Sequence, residues 1–342
     1  MAFLGINVSN FTVILSDIGL SNVVNDSEDC SDSVKVILHQ HQRLNLLLIS
    51  VALCLAGTLL ANPLLIMLIL FKKRFRQETR YLLLANILVA DLIFLLLNSF
   101  IAISTAVWQC IPKFLCDVAV IGRTISVFSS VITITVMAID IYVAVSLPLR
   151  YLSLISPSRT VKLVIMIWIL ASMYPFTFLT VMLAKQPVLI HGHKICLMLL
   201  TPDLGPFSRQ LILGINIFLT CSVLTCLLLV LGCYIMLYCK TRSSGIWDSL
   251  NSRARMTLLI HGIVLFLYFG PCLLFSFEML FSGSHHINSS TRLWLYNINI
   301  HVFMMFPRLL CPYLYGLRYR ELAVAVKKLF IVRKNRVHSI NT

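Results

Sequence analysis

Charged side chains are scarce in this sequence. Asp, Glu, Lys and Arg make up 12% of its 342 residues, about half the share of a typical soluble domain. Catalytic patterning is missing as well. There is no Ser/His/Asp ordering outside the apolar stretches, no glycine-rich phosphate loop and no His-x-x-x-His on one helical face. Hydrolase, nucleotide-binding and zinc-enzyme readings therefore have nothing to rest on, and no metal or cofactor is expected. No apolar run precedes residue 40, so no cleavable signal peptide is expected and the first apolar stretch has to act as the anchor.

Hydrophobic residues, by contrast, supply 59% of the chain. They recur in seven stretches, at about 44–71, 81–107, 114–146, 160–183, 207–239, 255–282 and 292–316. Each exceeds the ~20 residues that span a bilayer core as a helix. The pattern predicts an all-α membrane protein, a bundle of seven transmembrane helices with its termini on opposite sides. Of 28 Lys and Arg residues, 19 fall in the tail and three alternate loops, seven fall on the other side, and only Arg123 and Arg308 lie within spans. Because Lys and Arg are retained on the cytoplasmic side, the tail is expected inside and the N-terminus outside. The sequons at Asn7, Asn10, Asn25 and Asn288 all fall on the expected outer face. The net charge of +15 then reads as attraction to an anionic inner leaflet, not to nucleic acid.

Cysteine usage fits the same layout. Six cysteines lie within spans, where a small apolar side chain packs well, and Cys239 sits at the inner edge. Cys30, Cys110, Cys116 and Cys196 lie on the oxidising side, where four cysteines allow three pairings and the sequence does not choose among them. Cys116 precedes Asp140-Ile141-Tyr142 by 24 residues, roughly 36 Å of helix, so the third span carries one of these features at each membrane face.

Marks on the spans occur in a particular order. Asn62 stands in Ala61-Asn62-Pro63, Asp91 in Asn86-Ile87-Leu88-Val89-Ala90-Asp91-Leu92, and Trp108 in the first outer loop. Cys116, Pro148-Leu149-Arg150-Tyr151, Trp168, Pro271 and Pro312-Tyr313-Leu314-Tyr315 follow. In that order and spacing the chain resembles the rhodopsin-like (class A) G-protein-coupled receptors over about residues 44–330. Further stretches, among them Ser244-Gly245-Ile246-Trp247 and Met304-Met305-Phe306-Pro307-Arg308, resemble one orphan member of that family. The resemblance implies a Cys116–Cys196 disulfide and an unknown extracellular ligand. It also implies a heterotrimeric G protein at an inner face that includes Asp140, Tyr142, Pro148 and Tyr315.

Departures from the family pattern are informative. Where the family has Asp-Arg-Tyr, this chain has Asp140-Ile141-Tyr142, which deprives Asp140 of its usual arginine and leaves loop cations such as Arg150 to neutralise it. The sixth span reads Tyr268-Phe269-Gly270-Pro271, and Cys311 replaces the Asn before Pro312.

Ionisable residues inside a membrane are costly and point to function. In the family, the residue matched by Asp91 helps hold a sodium ion. Here Arg308 lies one turn before Pro312 at a similar depth, which predicts an Asp91–Arg308 ion pair in the ion's place. Arg123 lies two turns inside Cys116 on the same face, a position that lines the ligand pocket in the family. A guanidinium there favours a carboxylate, phosphate or sulfate, unless it turns to Asp117 or pairs with Glu278. His301, Phe269 and Phe275 either wall the same pocket or are ordinary packing.

Three regions are expected: an extracellular glycosylated segment 1–43, a seven-span domain 44–316, and a cytoplasmic tail 317–342 that forms an amphipathic eighth helix on the inner leaflet. The leading reading is a multi-pass plasma-membrane receptor. The alternatives are a non-signalling scaffold of the same fold, favoured by Ile141, and a chemosensory, odorant-type receptor.

Overall fold

The computed structural model describes the backbone over residues 30–106, 113–147, 151, 157–185, 206–243, 252–280, 295–318 and 324, and side chains over narrower stretches from Leu48 onward. The chain divides into two compact units, Met1–Leu47 and Leu48–Thr342. Of the first, the described part is helical backbone from Cys30. The sequons at Asn7, Asn10, Asn25 and Asn288 lie outside the described residues, as do Cys196, Pro148 and the tail apart from 317, 318 and 324.

The elements run α1 (Cys30–Phe71), a short α2 (Lys73–Arg76), α3 (Thr79–Ala106), α4 (Lys113–Ser146), α5 (Pro157–Lys185), α6 (Pro206–Ser243) and α7 (Ser252–Leu280). The seventh span is helical over 295–298, passes through a π-helical turn at Asn299–Phe303 and continues as α8 (Met305–Arg318). Among the described residues there is no strand. Five helices, α1 and α3 to α6, are long and apolar enough to cross a membrane, and α7 adds the apolar stretch Gly262–Glu278.

Why Val- and Ile-rich segments form helices here follows from the solvent. Hydrocarbon offers no partner for a backbone N–H or C=O, so each must be paired within its own segment. Ser and Thr obey the same rule. Thr58, Thr133 and Ser276 return their hydroxyls to the carbonyls of Cys54, Ser129 and Cys272, one turn back. Pro63, Pro175, Pro271 and Pro312 sit inside helices, and each removes one ladder bond.

Polarity is arranged inside out. Large apolar side chains such as Leu60, Phe71, Phe218 and Phe266 are exposed, whereas Asn62, Asn86, Asp91, Asn98 and Arg308 are buried. In water that surface would collapse onto a partner; in lipid it is the solvated face. The apolar windows of α3 and α4 are 56% and 50% buried, against 17% and 22% for α5 and α6. That difference puts α3 and α4 at the centre, and α4 packs on α3, α5, α6 and α7.

Polar ties fix the register of the centre. Trp168 Nε1 on α5 donates to Asn86 Oδ1 at 2.8 Å, and Asn86 Nδ2 donates to Thr133 Oγ1 on α4 at 2.8 Å. Asn62 Nδ2 on α1 reaches the Leu88 carbonyl on α3 at 3.4 Å. Close approach is also built in: a Cβ at Gly57 would stand 2.5 Å from Leu309 Cδ1, so a bare backbone lets the seventh span come near α1.

Candidate functional site

Three pairs of polar residues define two layers in the bundle. Asp91 and Asn98 on α3, Ser130 and Arg123 on α4, and Arg308 and His301 on the seventh span each lie seven residues apart. Seven residues make two turns of α-helix, roughly 10 Å, so the pairs on α3 and α4 each keep to one face; on the seventh span, where a π turn runs through His301, both residues are likewise buried. The first member of each pair meets in a layer toward Asp140; the second meets in a layer toward Cys116.

In the first layer Asp91 is fully buried. Its Oδ1 lies 3.4 Å from Arg308 Nε and accepts from Ser130 Oγ at 3.3 Å, while its Oδ2 accepts from the Tyr268 hydroxyl. Arg308 is 2% exposed. Its guanidinium carbon lies 3.7 Å from the centroid of the Phe94 ring and 5.6 Å from that of Tyr268, and one terminal nitrogen donates to the Met304 carbonyl. The Nε–Oδ1 approach makes no aligned hydrogen bond, so the attraction is chiefly charge to charge, reinforced by the aromatic faces. Cys272 and Cys311 are buried and carry free thiols.

The second layer holds a cation of a different kind. Arg123 is 7% exposed, and its two terminal nitrogens donate to Asn98 Oδ1 at 3.2 Å and Tyr296 Oη at 3.1 Å. Both acceptors are neutral. Among the described residues Arg123 forms no ion pair, and it meets neither Asp117 nor Glu278. Asn98 Nδ2 in turn donates to His301 Nδ1 at 3.2 Å, which requires that ring nitrogen to carry no proton, and to Met305 Sδ at 3.3 Å. Ser50 Oγ on α1 donates to the His301 carbonyl at 3.2 Å.

Glu278 closes the same end of the bundle from α7. Its Oε2 accepts from Asn299 Nδ2 at 3.4 Å, while Oε1 is shielded from solvent and accepts nothing. Asn299 Nδ2 also donates to the Pro271 carbonyl at 3.3 Å. Phe275 lies against the Tyr296 ring at 6.3 Å, and Phe269 is fully buried in the core. The π turn contributes directly. Extra backbone there puts Asn299 and His301, only two residues apart, on buried faces, one bonded to α7 and the other to α3.

At the far end of α4, Asp140 has a partner that the sequence did not announce. The Tyr151 hydroxyl donates to its Oδ1 at 3.2 Å; Arg150 lies outside the described residues. Burial, with the Asp140 charge beside it, pushes the Tyr151 phenol up to about 12, so it stays a donor at neutral pH. Ile141 and Tyr142 are half-buried, Tyr315 is fully buried, and Lys240 Nζ on α6 donates to the Ser146 carbonyl at 2.7 Å. Cys116, at the other end of α4, is buried and disulfide-bonded.

Seven apolar segments around a polar two-layer interior describe a membrane receptor bundle. The chain belongs to the 7 transmembrane receptor (rhodopsin family), whose pattern matches residues 61–315. It is a multi-pass plasma-membrane receptor and not an enzyme, and membership implies an extracellular ligand and a G protein partner. It is similar to probable G-protein coupled receptor 148 of Homo sapiens, with 36% identity over 278 residues, 81% of this chain and 80% of that one. Odorant receptor 131-2 of Danio rerio is 24% identical over 302 residues, 84% of this chain and 89% of that one. Olfactory receptor 4K2 of Homo sapiens is 25% identical over 232 residues, 62% and 64% of the two chains.

Proposed function

We propose that this receptor carries a signal from an extracellular ligand bearing an anionic group to a cytoplasmic heterotrimeric G protein, and that the anion seats on Arg123. One observation carries the reading: a buried guanidinium that, among the described residues, is held by the neutral Asn98 and Tyr296 and by no acid. A buried cation without a counter-ion is costly, and a carboxylate, phosphate or sulfate offers it two parallel bonds. Glu278, His301, Phe269 and Phe275 complete the ligand end, with the N-terminus and segment 1–43 outside and the tail from 317 inside. On this layout Cys116 pairs with Cys196, Asn7, Asn10, Asn25 and Asn288 carry glycans, and Asp140, Tyr142, Pro148 and Tyr315 face the G protein.

The test is a screen of acidic metabolites and lipids on cells displaying the chain, repeated with Arg123→Ala. The reading expects an acidic agonist whose response disappears in the variant at unchanged surface expression. Loss of expression would make Arg123 a structural group and remove the reading. Two observations favour other readings: Ile141 favours a non-signalling scaffold, and the odorant receptors among the relatives favour chemosensory use. A G-protein recruitment assay separates the first from the others, since a scaffold stays silent under every ligand.

A further inference from the structure

Arg123 and Glu278 carry opposite charges, both serve the same two turns of the seventh span, and they do not meet. Arg123 ends on Tyr296; Glu278 ends on Asn299, three residues further on. Phe275, one turn from Glu278, lies against the Tyr296 ring, so α7 is seated where Arg123 also arrives. Opposite charges in contact inside a protein attract far more strongly than in water. Here each is held by neutral groups. Arg123 uses two of its five N–H donors on Asn98 and Tyr296, and Glu278 Oε1 is buried and accepts no bond. Packing so arranged leaves two opposite charges at one end of the bundle with no charged partner among the described residues.

We propose that Arg123 and Glu278 form the two poles of one site for an amphoteric small molecule, its carboxylate on Arg123 and its ammonium on Glu278. The proposal rests on the reading of Arg123 as the anion contact and adds the ligand's second charge. An acid without an amine would satisfy Arg123 and leave Glu278 desolvated and unpaired; an amine without an acid would do the reverse. Sites built around a buried polar group reject the analogue that lacks its partner far more strongly than apolar pockets reject a missing methylene. Phe275, one turn from Glu278, and Tyr296, which Arg123 bonds, are in ring contact and offer aromatic surface to an apolar connecting chain.

Thermal shift of the purified full chain in detergent tests this without knowledge of the natural ligand. The probes are ω-amino acids from aminobutanoate to aminooctanoate, each beside its matched acid and matched amine at equal ionic strength. At least one amino acid is expected to bind about tenfold or more tighter than both partners of equal length. Glu278→Gln should abolish that preference and leave acid binding in place; Arg123→Gln should abolish the binding of acids and amino acids alike. If no amino acid outperforms its matched acid, while the acids stabilise wild type and not Arg123→Gln, the amphoteric site is refuted and the anion reading survives. A shift that persists in Arg123→Gln refutes both.

Discussion

An arginine in a hydrocarbon interior is answered by an acid, by aromatic faces or by backbone carbonyls, and Arg308 has all three, whereas for Arg123 the proposed answer is a ligand. Arg308 lies between Asp91 and Phe94, with Tyr268 bonded to the same carboxylate. Removing one partner of such a pair strands the other charge, so Arg308→Ala should cost about 3–5 kcal/mol of stability. Adding Asp91→Asn should restore part of it, as read by thermal unfolding in detergent; no recovery would show that the two residues act independently. Tyr268→Phe should cost about 1.5–3 kcal/mol, the worth of a hydrogen bond to a charged acceptor. Asp91 and Arg308 were legible because ionisable residues stand out in apolar runs and their depths can be counted along helices. Tyr268 was not, because its reach depends on how α7 turns about Pro271, which spacing along one chain does not give. Glu278 was a reasonable partner for Arg123 by depth, but the side chains of Asn98 and Tyr296 arrive first.

At the scale of elements, α4 is tied at both ends, and the two ties differ in chemistry. Its Cys116 end is held covalently; its Asp140 end is held by the neutral donor Tyr151, eleven residues on. The Tyr151 phenol has a folded pKa above the unfolded value of about 10, so its contribution is complete below pH ~10 and is lost as pH rises through about 12. Tyr151→Phe should therefore lower stability by about 0.5–1.5 kcal/mol at neutral pH. The gap between variant and wild type should close above pH ~10 in an alkaline melting series; a gap independent of pH would place the loss in packing. Apolar length announced the helices. The π turn at Asn299–Phe303 was hidden, since it contains neither Gly nor Pro, and a reading at 3.6 residues per turn assigns its residues to the wrong faces.

Across the whole molecule, family and span count were readable because the bilayer imposes length and in-segment bonding on every crossing. Ligand identity was not, since the side chains proposed to contact it come from α4, α7 and the seventh span and meet only in the folded bundle. Ile141 poses the remaining question at this scale. Asp140 already accepts from Tyr151, so an arginine introduced at 141 would compete for a carboxylate that has a donor. Ile141→Arg is expected to change basal G-protein recruitment; unchanged recruitment in an expressed variant would mean that coupling here does not run through position 141.

The most direct measurement is a side-by-side melt of Arg308→Gln and Arg123→Gln in the absence of ligand. If Arg308 is matched by Asp91 while Arg123 is kept unmatched for a ligand, the first variant melts below wild type and the second melts at or above it. Equal losses in both would contradict the account, because both arginines would then be structural.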